Sequence, residues 1–167
     1  MLIPLFRKGG EYYVLLTRRT ETVRSHKGQI SFPGGRQDEG EDLRTTALRE
    51  AREEVGIQEK DVRILGELDD MCTVSSDFCI SPFVGLIPHP YPFIVNRQEI
   101  AEILEVPLSA LLDESKFRQE LTERNGQPYH LCFYEHGKHV IWGATARILR
   151  QLMELLSAQD EKERAEA

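Results

Sequence analysis

The chain has 167 residues, a length that suits one domain with a single hydrophobic core. Apolar residues make up 40% and charged residues 29% of the chain, which excludes a disordered or fibrous composition. The net charge of −7 disfavours a sequence-independent nucleic-acid binder, because such a protein needs a surplus of Lys and Arg to displace counterions from phosphates. A small anionic substrate remains compatible with this charge, since a basic loop or a bound metal can reverse the local field.

The three cysteines, Cys72, Cys79 and Cys132, are odd in number and contain no CxxC pair. This pattern predicts neither a disulfide framework nor a zinc site, and it favours buried thiols in a reducing compartment. No apolar run reaches the roughly 18–20 residues of a membrane span. The first ten residues, MLIPLFRKGG, become polar too early for a secretory signal. We therefore expect a cytoplasmic protein with no membrane partner.

Hydrophobic periodicity and turn residues predict the elements in chain order. The predicted strands are Leu2–Phe6, Tyr12–Thr17, Val62–Leu68, Cys79–Ile87, Ile103–Val106 and Tyr129–Tyr134. Helices are predicted over Asp42–Val55, with Gly56 as a left-handed stop, and over Ala144–Leu156. This order predicts the α/β class, with a mixed sheet covered by helices. We interpret residues 1–157 as a single domain and residues 158–167 as a charged, frayed tail.

The first predicted helix ends in the segment REAREEV, whose glutamates are Glu50, Glu53 and Glu54. Their spacing places three carboxylates on one face, at the helix end where the dipole disfavours negative charge by about 0.3–1 kcal/mol each. Such clustered oxygen ligands suit Mg²⁺ or Mn²⁺, which keeps other positions for water and substrate phosphates. Arg49 can hold Glu53 at i+4 while the other carboxylates face the metal. From these residues alone, a salt-bridged surface helix is an equal alternative.

A longer segment, GRQDEGEDLRTTALREAREEVGI over residues 35–57, resembles the Nudix box G-x5-E-x7-R-E-U-x-E-E-x-G-U, in which U is bulky and apolar. The matching positions are Gly35, Glu41, Arg49, Glu50, Glu53, Glu54, Gly56 and Ile57. Ala51 occupies the first U position and is smaller than usual, which affects packing rather than chemistry. A pattern that fixes so many charged residues and glycines is highly specific, so the surface helix becomes the weaker explanation.

The resemblance to the Nudix family implies a loop–helix–loop motif in a sandwich of mixed β-sheet between α-helices. It implies hydrolysis of a nucleoside diphosphate linked to another moiety, with Mg²⁺ or Mn²⁺ as cofactor. By position, Glu50 and Glu54 would be the principal metal ligands, and Glu53 would be a further ligand or the base that orients water. Arg49 would orient the carboxylates, and Glu41 would brace the loop or touch the metal through water.

The segment before the box, LLTRRTETVRSHKGQISFPGG over residues 15–35, resembles the coenzyme A signature of one Nudix subfamily, LLTxR(S/A)x3Rx3Gx3FPGG. The matching positions are Leu15, Leu16, Thr17, Arg19, Arg24, Gly28, Phe32, Pro33, Gly34 and Gly35. Thr20 stands where Ser or Ala is usual. Together the two resemblances cover residues 15–57, about a quarter of the chain.

The residue types of this signature suit a substrate with several phosphates. Coenzyme A carries a 3′-phosphate besides its diphosphate, and Arg19 and Arg24 offer planar donors that match phosphate oxygens. Gly28, Gly34 and Gly35 permit close approach of the backbone to a ligand. The alternative is that the basic residues only solubilise the loop or pair with acidic neighbours.

A further carboxylate for the site is expected after the proline-rich loop, and Glu99 is our candidate. Glu102 and Glu105 compete with it, and a plain surface role is an equal alternative for each. His136 and His139 form an HxxH pattern, which we interpret as a hairpin surface because no third metal ligand accompanies it.

The sequence therefore predicts a Mg²⁺- or Mn²⁺-dependent diphosphatase that converts coenzyme A or its derivatives to 3′,5′-ADP and 4′-phosphopantetheine products. One alternative is a Nudix enzyme for ADP-ribose or NADH. Another is a non-catalytic Nudix module that senses a nucleotide, which the loss of a box glutamate would mark. All the box glutamates are present.

Overall fold

The computed structural model describes residues 1–22, 27–73, 78–124 and 126–166. They form two compact units, Met1–Pro107 and Leu108–Ala167. Both units combine β-sheet with α-helix, so the predicted α/β class is confirmed. The assignment of residues 1–157 to one domain stays a prediction. No helix in the described ranges is long and apolar enough to cross a membrane.

The first unit is built on a six-stranded mixed sheet. Its strands are β1 Leu2–Lys8, β2 Glu11–Arg19, β3 Ile30–Ser31, β4 Arg63–Glu67, β7 Phe83–Leu86 and β8 Ile100–Pro107, and a separate pair is formed by β5 Met71–Cys72 and β6 Cys79–Ile80. The order in the large sheet is β3-β2-β1-β7-β4, and β8 also pairs with β2. β1 and β7 are parallel, whereas the other pairs are antiparallel. The sheet is therefore mixed, as expected.

The helix α1, Leu43–Val55, packs its apolar stripe against the sheet of this unit. Asp42 caps its first turn by accepting a hydrogen bond from the Thr45 N–H at 3.0 Å. Gly56 ends it in the left-handed conformation, with φ 80°, as predicted. The shared core contains Leu2, Phe6, Leu15, Ala47, Leu48, Ala51, Val55, Ile57, Phe83 and Ile87. The small Ala51 is fully buried there, so this departure from the box pattern is accommodated by packing.

The second unit contains a three-stranded antiparallel sheet and the longest helix. Its elements are α2 Leu108–Leu112, β9 Phe117–Arg124, β10 Gln127–His136, β11 His139–Trp142 and α3 Ala144–Glu166. The strand order is β11-β10-β9, and α3 packs against β10 and β11. His136 and His139 face each other across the β10–β11 turn, which confirms the hairpin interpretation of the HxxH pattern.

Two predicted elements differ from the structure by more than a few residues at their ends. The run Cys79–Ile87 is two strands, because Ser81-Pro82 separates β6 from β7 and the two strands belong to different sheets. The last helix continues past Leu156 to Glu166, so the described part of the tail is helical rather than frayed. Its sequence lacks an apolar stripe but is rich in Ala, Gln, Glu, Lys and Arg, which are strong helix formers.

The cysteines also differ from expectation. Cys72 and Cys79 are joined by a disulfide, whereas the sequence favoured buried thiols. The antiparallel register of β5 and β6 places the two residues directly opposite each other, and both are exposed. Cys132 is a free, buried thiol as predicted. Because strand pairing brought the two residues together, residue spacing alone could not predict the bond.

Candidate active site

The carboxylates of Glu50 and Glu54 lie against the Gly34–Gly35 backbone, where the loop after β3 meets α1. The Gly34 N–H donates a hydrogen bond to Glu54 Oε2 at 3.2 Å. A Cβ at Gly35 would overlap the carboxyl group of Glu50. The two glutamates are one helical turn apart, so their side chains extend from neighbouring positions of α1. The sequence thus brings the final glycines of the FPGG segment and two box glutamates into one place.

Glu54 is a buried acid whose charge is partly compensated. Its side chain is 4% exposed, and Arg19 Nη1 from β2 donates to Glu54 Oε1 at 3.1 Å. Burial raises the pKa of Glu54 to about 7, although Arg19 and the Gly34 N–H oppose that rise. The nearby charges of Glu50 and Glu99 contribute to this rise. Arg19, predicted to bind substrate, is therefore paired with an acidic site residue in this structure.

Arg49 connects the loop to the helix through several acceptors. Its guanidinium donates to Glu50 at 2.7 Å, to Glu41 at 3.0 and 3.1 Å and to the Arg36 carbonyl at 3.0 Å. Its predicted partner, Glu53, is farther away at 3.5 Å. Arg49 thus reaches Glu53 at i+4 as expected, but its shorter bonds go to Glu50 and Glu41, because the loop carries Glu41 into closer reach. Arg49 and Thr46 hydrogen-bond to Glu41 and lower its pKa to about 2, so Glu41 braces the loop.

The structure gives the three acidic candidates after the proline-rich loop different basic partners. Arg19 Nη2 donates to Glu99 at 3.5 Å, and Arg19 thereby connects Glu99 to Glu54. Glu102 pairs with Arg18, and Glu105 pairs with Lys8. Glu102 and Glu105 are therefore engaged in ion pairs with other basic residues, whereas Glu99 lies beside the carboxylates of Glu50 and Glu54.

Asn96 is a site residue that the sequence analysis missed. Its backbone N–H donates to the Glu54 carbonyl at 2.9 Å, and its side-chain amide donates to Glu99 Oε1 at 3.2 Å. Ile94 likewise donates its N–H to the Val55 carbonyl at 3.1 Å. The loop before β8 therefore satisfies carbonyls at the end of α1 and positions Glu99. The only signal in the sequence was an Asn among turn-forming residues, which does not identify its distant partners.

Two loop residues of the substrate signature have different outcomes. Gly28 has φ 65°, and the carboxylate of Glu21 occupies the space that a Cβ would take. The side chain that comes closest to Gly28 is therefore one from the same loop, and the role of Gly28 in substrate binding stays a prediction. Arg24 lies outside the described residues, so its role stays a prediction.

Comparisons with known proteins show the family to which the chain belongs. A model of the NUDIX domain matches residues 1–127. The protein named "Uncharacterized Nudix hydrolase NudL" from Photorhabdus laumondii is 43% identical over 153 residues, covering 91% of this chain and 81% of that protein. The protein of the same name from Yersinia pestis is 39% identical over 158 residues, covering 94% and 78%. The chain therefore belongs to the Nudix family and is a diphosphatase enzyme of the Nudix hydrolase class.

Solved structures support the fold. A Caenorhabditis elegans Ap4A hydrolase binary complex matches with a TM-score of 0.56 and 18% identity, over 65% of this chain and 78% of that one. The Nudix hydrolase RenU from M. smegmatis matches with a TM-score of 0.56 and 21% identity, over 67% and 71% of the two chains. At these identities the likeness shows the fold alone.

Nudix hydrolases generally use divalent metal ions. The carboxylates of Glu50 and Glu54, which lie against Gly34 and Gly35, are oxygen donors of the type that such ions bind. Within the described ranges no group of three or more His, Cys, Asp or Glu residues is arranged to hold a metal. Glu50 and Glu54 nevertheless present two carboxylates to one small backbone segment. Mg²⁺ is commonly held by one or two carboxylates together with water and substrate phosphates, and two carboxylates are the kind of donors such an ion takes. Glu53, the third predicted ligand, contacts Arg49 at 3.5 Å, and Glu50 contacts the same arginine at 2.7 Å.

Proposed function

We propose that the chain is a Mg²⁺- or Mn²⁺-dependent diphosphatase that hydrolyses coenzyme A or its derivatives. The products are 3′,5′-ADP and a 4′-phosphopantetheine compound. One observation carries this proposal: the carboxylates of Glu50 and Glu54 meet at the Gly34–Gly35 backbone, where the coenzyme A signature joins the Nudix box. The site therefore combines cation ligands with the loop that resembles a coenzyme A-binding segment.

The acidic residues divide the chemistry among them. Glu50 and Glu54 would hold the cation, and a cation bound there would supply positive charge to the diphosphate and make a nearby water more acidic. Glu53 is 51% exposed and is held weakly by Arg49, so its carboxylate can accept a proton from the attacking water. Arg49 orients Glu50, and Glu41 fixes Arg49 to the loop.

Substrate binding falls to the loop and the neighbouring strand. Gly34 and Gly35 border the diphosphate site, since the missing side chain of Gly35 leaves room for the Glu50 carboxylate against the backbone. Arg24, together with the loop that contains Gly28, supplies contacts to the additional phosphate of coenzyme A. Glu99 contributes a further carboxylate beside Glu54, since Arg19 connects the two.

We place the reaction in the cytoplasm, without a nucleic-acid or membrane partner. The negative charge of the chain supports the exclusion of nucleic acid. This location was expected partly because the cysteines were predicted to be reduced thiols, and the bond between Cys72 and Cys79 contradicts that prediction.

The proposal is tested by product analysis. Purified protein is incubated with Mg²⁺ or Mn²⁺ and separately with coenzyme A, ADP-ribose, NADH and diadenosine polyphosphates. We expect 3′,5′-ADP and 4′-phosphopantetheine from coenzyme A, and no products after the cation is chelated. Hydrolysis of only ADP-ribose or NADH would contradict the coenzyme A assignment. Binding of these nucleotides without any hydrolysis would instead indicate a sensing module.

A further inference from the structure

We propose that Arg19 is the counter-charge of the cation-free site and that a divalent cation competes with it for Glu54. This inference rests on the proposed cation site at Glu50 and Glu54. In this proposal the buried carboxylate of Glu54 is neutralised by Arg19 when no cation is bound and by the cation when one is bound.

The burial of Glu54 is the first step of the argument. A carboxylate that is 4% exposed is costly to ionise unless a nearby charge and hydrogen bonds compensate it. In the structure Arg19 is the cationic side chain hydrogen-bonded to Glu54, and the Gly34 N–H supplies a further hydrogen bond. A divalent cation at Glu54 would supply the same charge, so Arg19 and the cation stabilise one carboxylate by the same means. Two cationic groups at one carboxylate also repel each other, which makes their binding competitive.

The second contact of Arg19 explains why the residue would remain at the site. Its Nη2 reaches Glu99, whose side chain is 44% exposed and therefore less dependent on a partner. The backbone of Arg19 is fixed at the end of β2 by a hydrogen bond from its N–H to the Gln29 carbonyl at 2.9 Å. When the cation occupies Glu54, the guanidinium keeps Glu99 as an anchor and frees N–H donors. Those donors then suit an oxygen of the substrate phosphates.

The test measures cation binding in the absence of substrate. Mg²⁺ and Mn²⁺ affinities are determined by calorimetry for the wild type and for Arg19→Gln. We expect Arg19→Gln to bind the cation about tenfold more tightly, because a competing charge-assisted bond has been removed. Arg52→Gln is the matched control, since it removes the same charge from an exposed position of α1 two residues before Glu54. It should change the affinity much less.

Thermal unfolding of the same variants provides a second readout. Without cation, Arg19→Gln should unfold at a lower temperature than the wild type, because Glu54 has lost its counter-charge. Saturating Mg²⁺ should remove most of this difference. A purely structural role for Arg19 would lower the unfolding temperature equally with and without the cation, and that result would overturn the proposal.

Further outcomes separate this inference from the proposed function. If Arg19→Gln does not fold without cation, Arg19→Lys replaces it, and we expect tighter cation binding than in the wild type by a smaller factor. Unchanged or weaker binding in the Arg19 variant, while the wild type binds the cation, would overturn only the inference. A wild type that binds neither cation, with or without substrate, would contradict the cation site and the proposed function as well.

Discussion

At the scale of single residues, the three glutamates at the end of α1 differ mainly in exposure. The side chains of Glu54, Glu50 and Glu53 are 4%, 18% and 51% exposed. These different exposures support different roles for the three residues. A metal ligand is best held in place by surrounding groups, whereas a general base must be accessible to water. Each carboxylate also has an arginine partner, and these partners offset the unfavourable helix dipole.

The ligand assignment predicts the behaviour of Glu54→Gln. The substitution keeps the shape of the side chain but removes the charge that holds the cation, so kcat should fall by about a hundredfold or more. The fold should persist, since Arg19 keeps its contact with Glu99. Steady-state kinetics at saturating Mg²⁺ measures the fall in kcat, and circular dichroism shows whether the fold is retained.

The control for this substitution is Glu67→Gln, which removes one exposed carboxylate from β4. Its kcat should stay close to the wild-type value. A Glu54→Gln enzyme with near wild-type turnover would show that Glu54 is not a required ligand.

At the scale of elements, the site depends on how α1 is held at both ends. Asp42 and the Glu41–Arg49 pair fix its beginning to the loop. The backbone of Ile94 and Asn96 binds the last carbonyls and fixes its end. The glutamates of the site lie between these attachments, so the attachments determine where the carboxylates point.

The contacts of Glu41 at the beginning of α1 predict that the stability of the fold depends on pH. In the folded state the pKa of Glu41 is lowered to about 2 from the ordinary value of 4.5. Its contribution to stability is therefore fully present above about pH 4.5 and is lost as the pH falls toward 2. The free energy of unfolding of Glu41→Gln, measured by urea titration, should be below the wild-type value at pH 7, and this difference should narrow below pH 4.5.

Glu123→Gln, an exposed substitution in β9, is the control for Glu41→Gln and should match the wild type throughout. A difference between Glu41→Gln and the wild type that stays constant from pH 7 to pH 3 would show that ionisation of Glu41 does not stabilise the fold.

The end of α1 predicts the cost of replacing Gly56. A Cβ at this position would lie 2.8 Å from the Ile94 backbone nitrogen, and the residue has φ 80°. Gly40 has a similar φ of 79°, but a Cβ there meets nothing within 4 Å. Both alanine variants share the left-handed penalty of about 1 kcal/mol, and Gly56→Ala should lose about 1–3 kcal/mol more because of the clash. Urea unfolding at pH 7 compares them, and equal losses would contradict the close contact with Ile94.

At the scale of the whole molecule, the sequence predicted elements whose signal is local. Helix α1 followed from apolar periodicity and the Gly56 stop, and β1, β2 and β8 followed from β-prone runs. The short strand β3 and the polar strand β9 were not predicted, because they are recognisable only through their partners. The box glutamates could be identified by their spacing, which a helix converts directly into a shared face.

The contacts that were not predicted join distant parts of the chain. Arg19 and Glu54 are 35 positions apart, and nothing local indicates that an arginine at the end of β2 would pair with a buried glutamate. The bond between Cys72 and Cys79 likewise depends on the register of two short strands. Asn96 binds the Glu54 carbonyl through its backbone N–H, a contact that sequence patterns do not report. Tertiary pairing therefore decided each of these features.

The central claim is that the loop before the Nudix box selects coenzyme A. The most direct measurement is kcat/KM for coenzyme A and ADP-ribose, side by side at fixed Mg²⁺, with 3′-dephospho-coenzyme A as the matched control. One charge-assisted contact contributes about 1.5–3 kcal/mol before solvent competition, so coenzyme A should be preferred by at least about tenfold. The preference should shrink as salt rises and fall for the dephospho analogue. Equal kcat/KM for coenzyme A and ADP-ribose would contradict this claim.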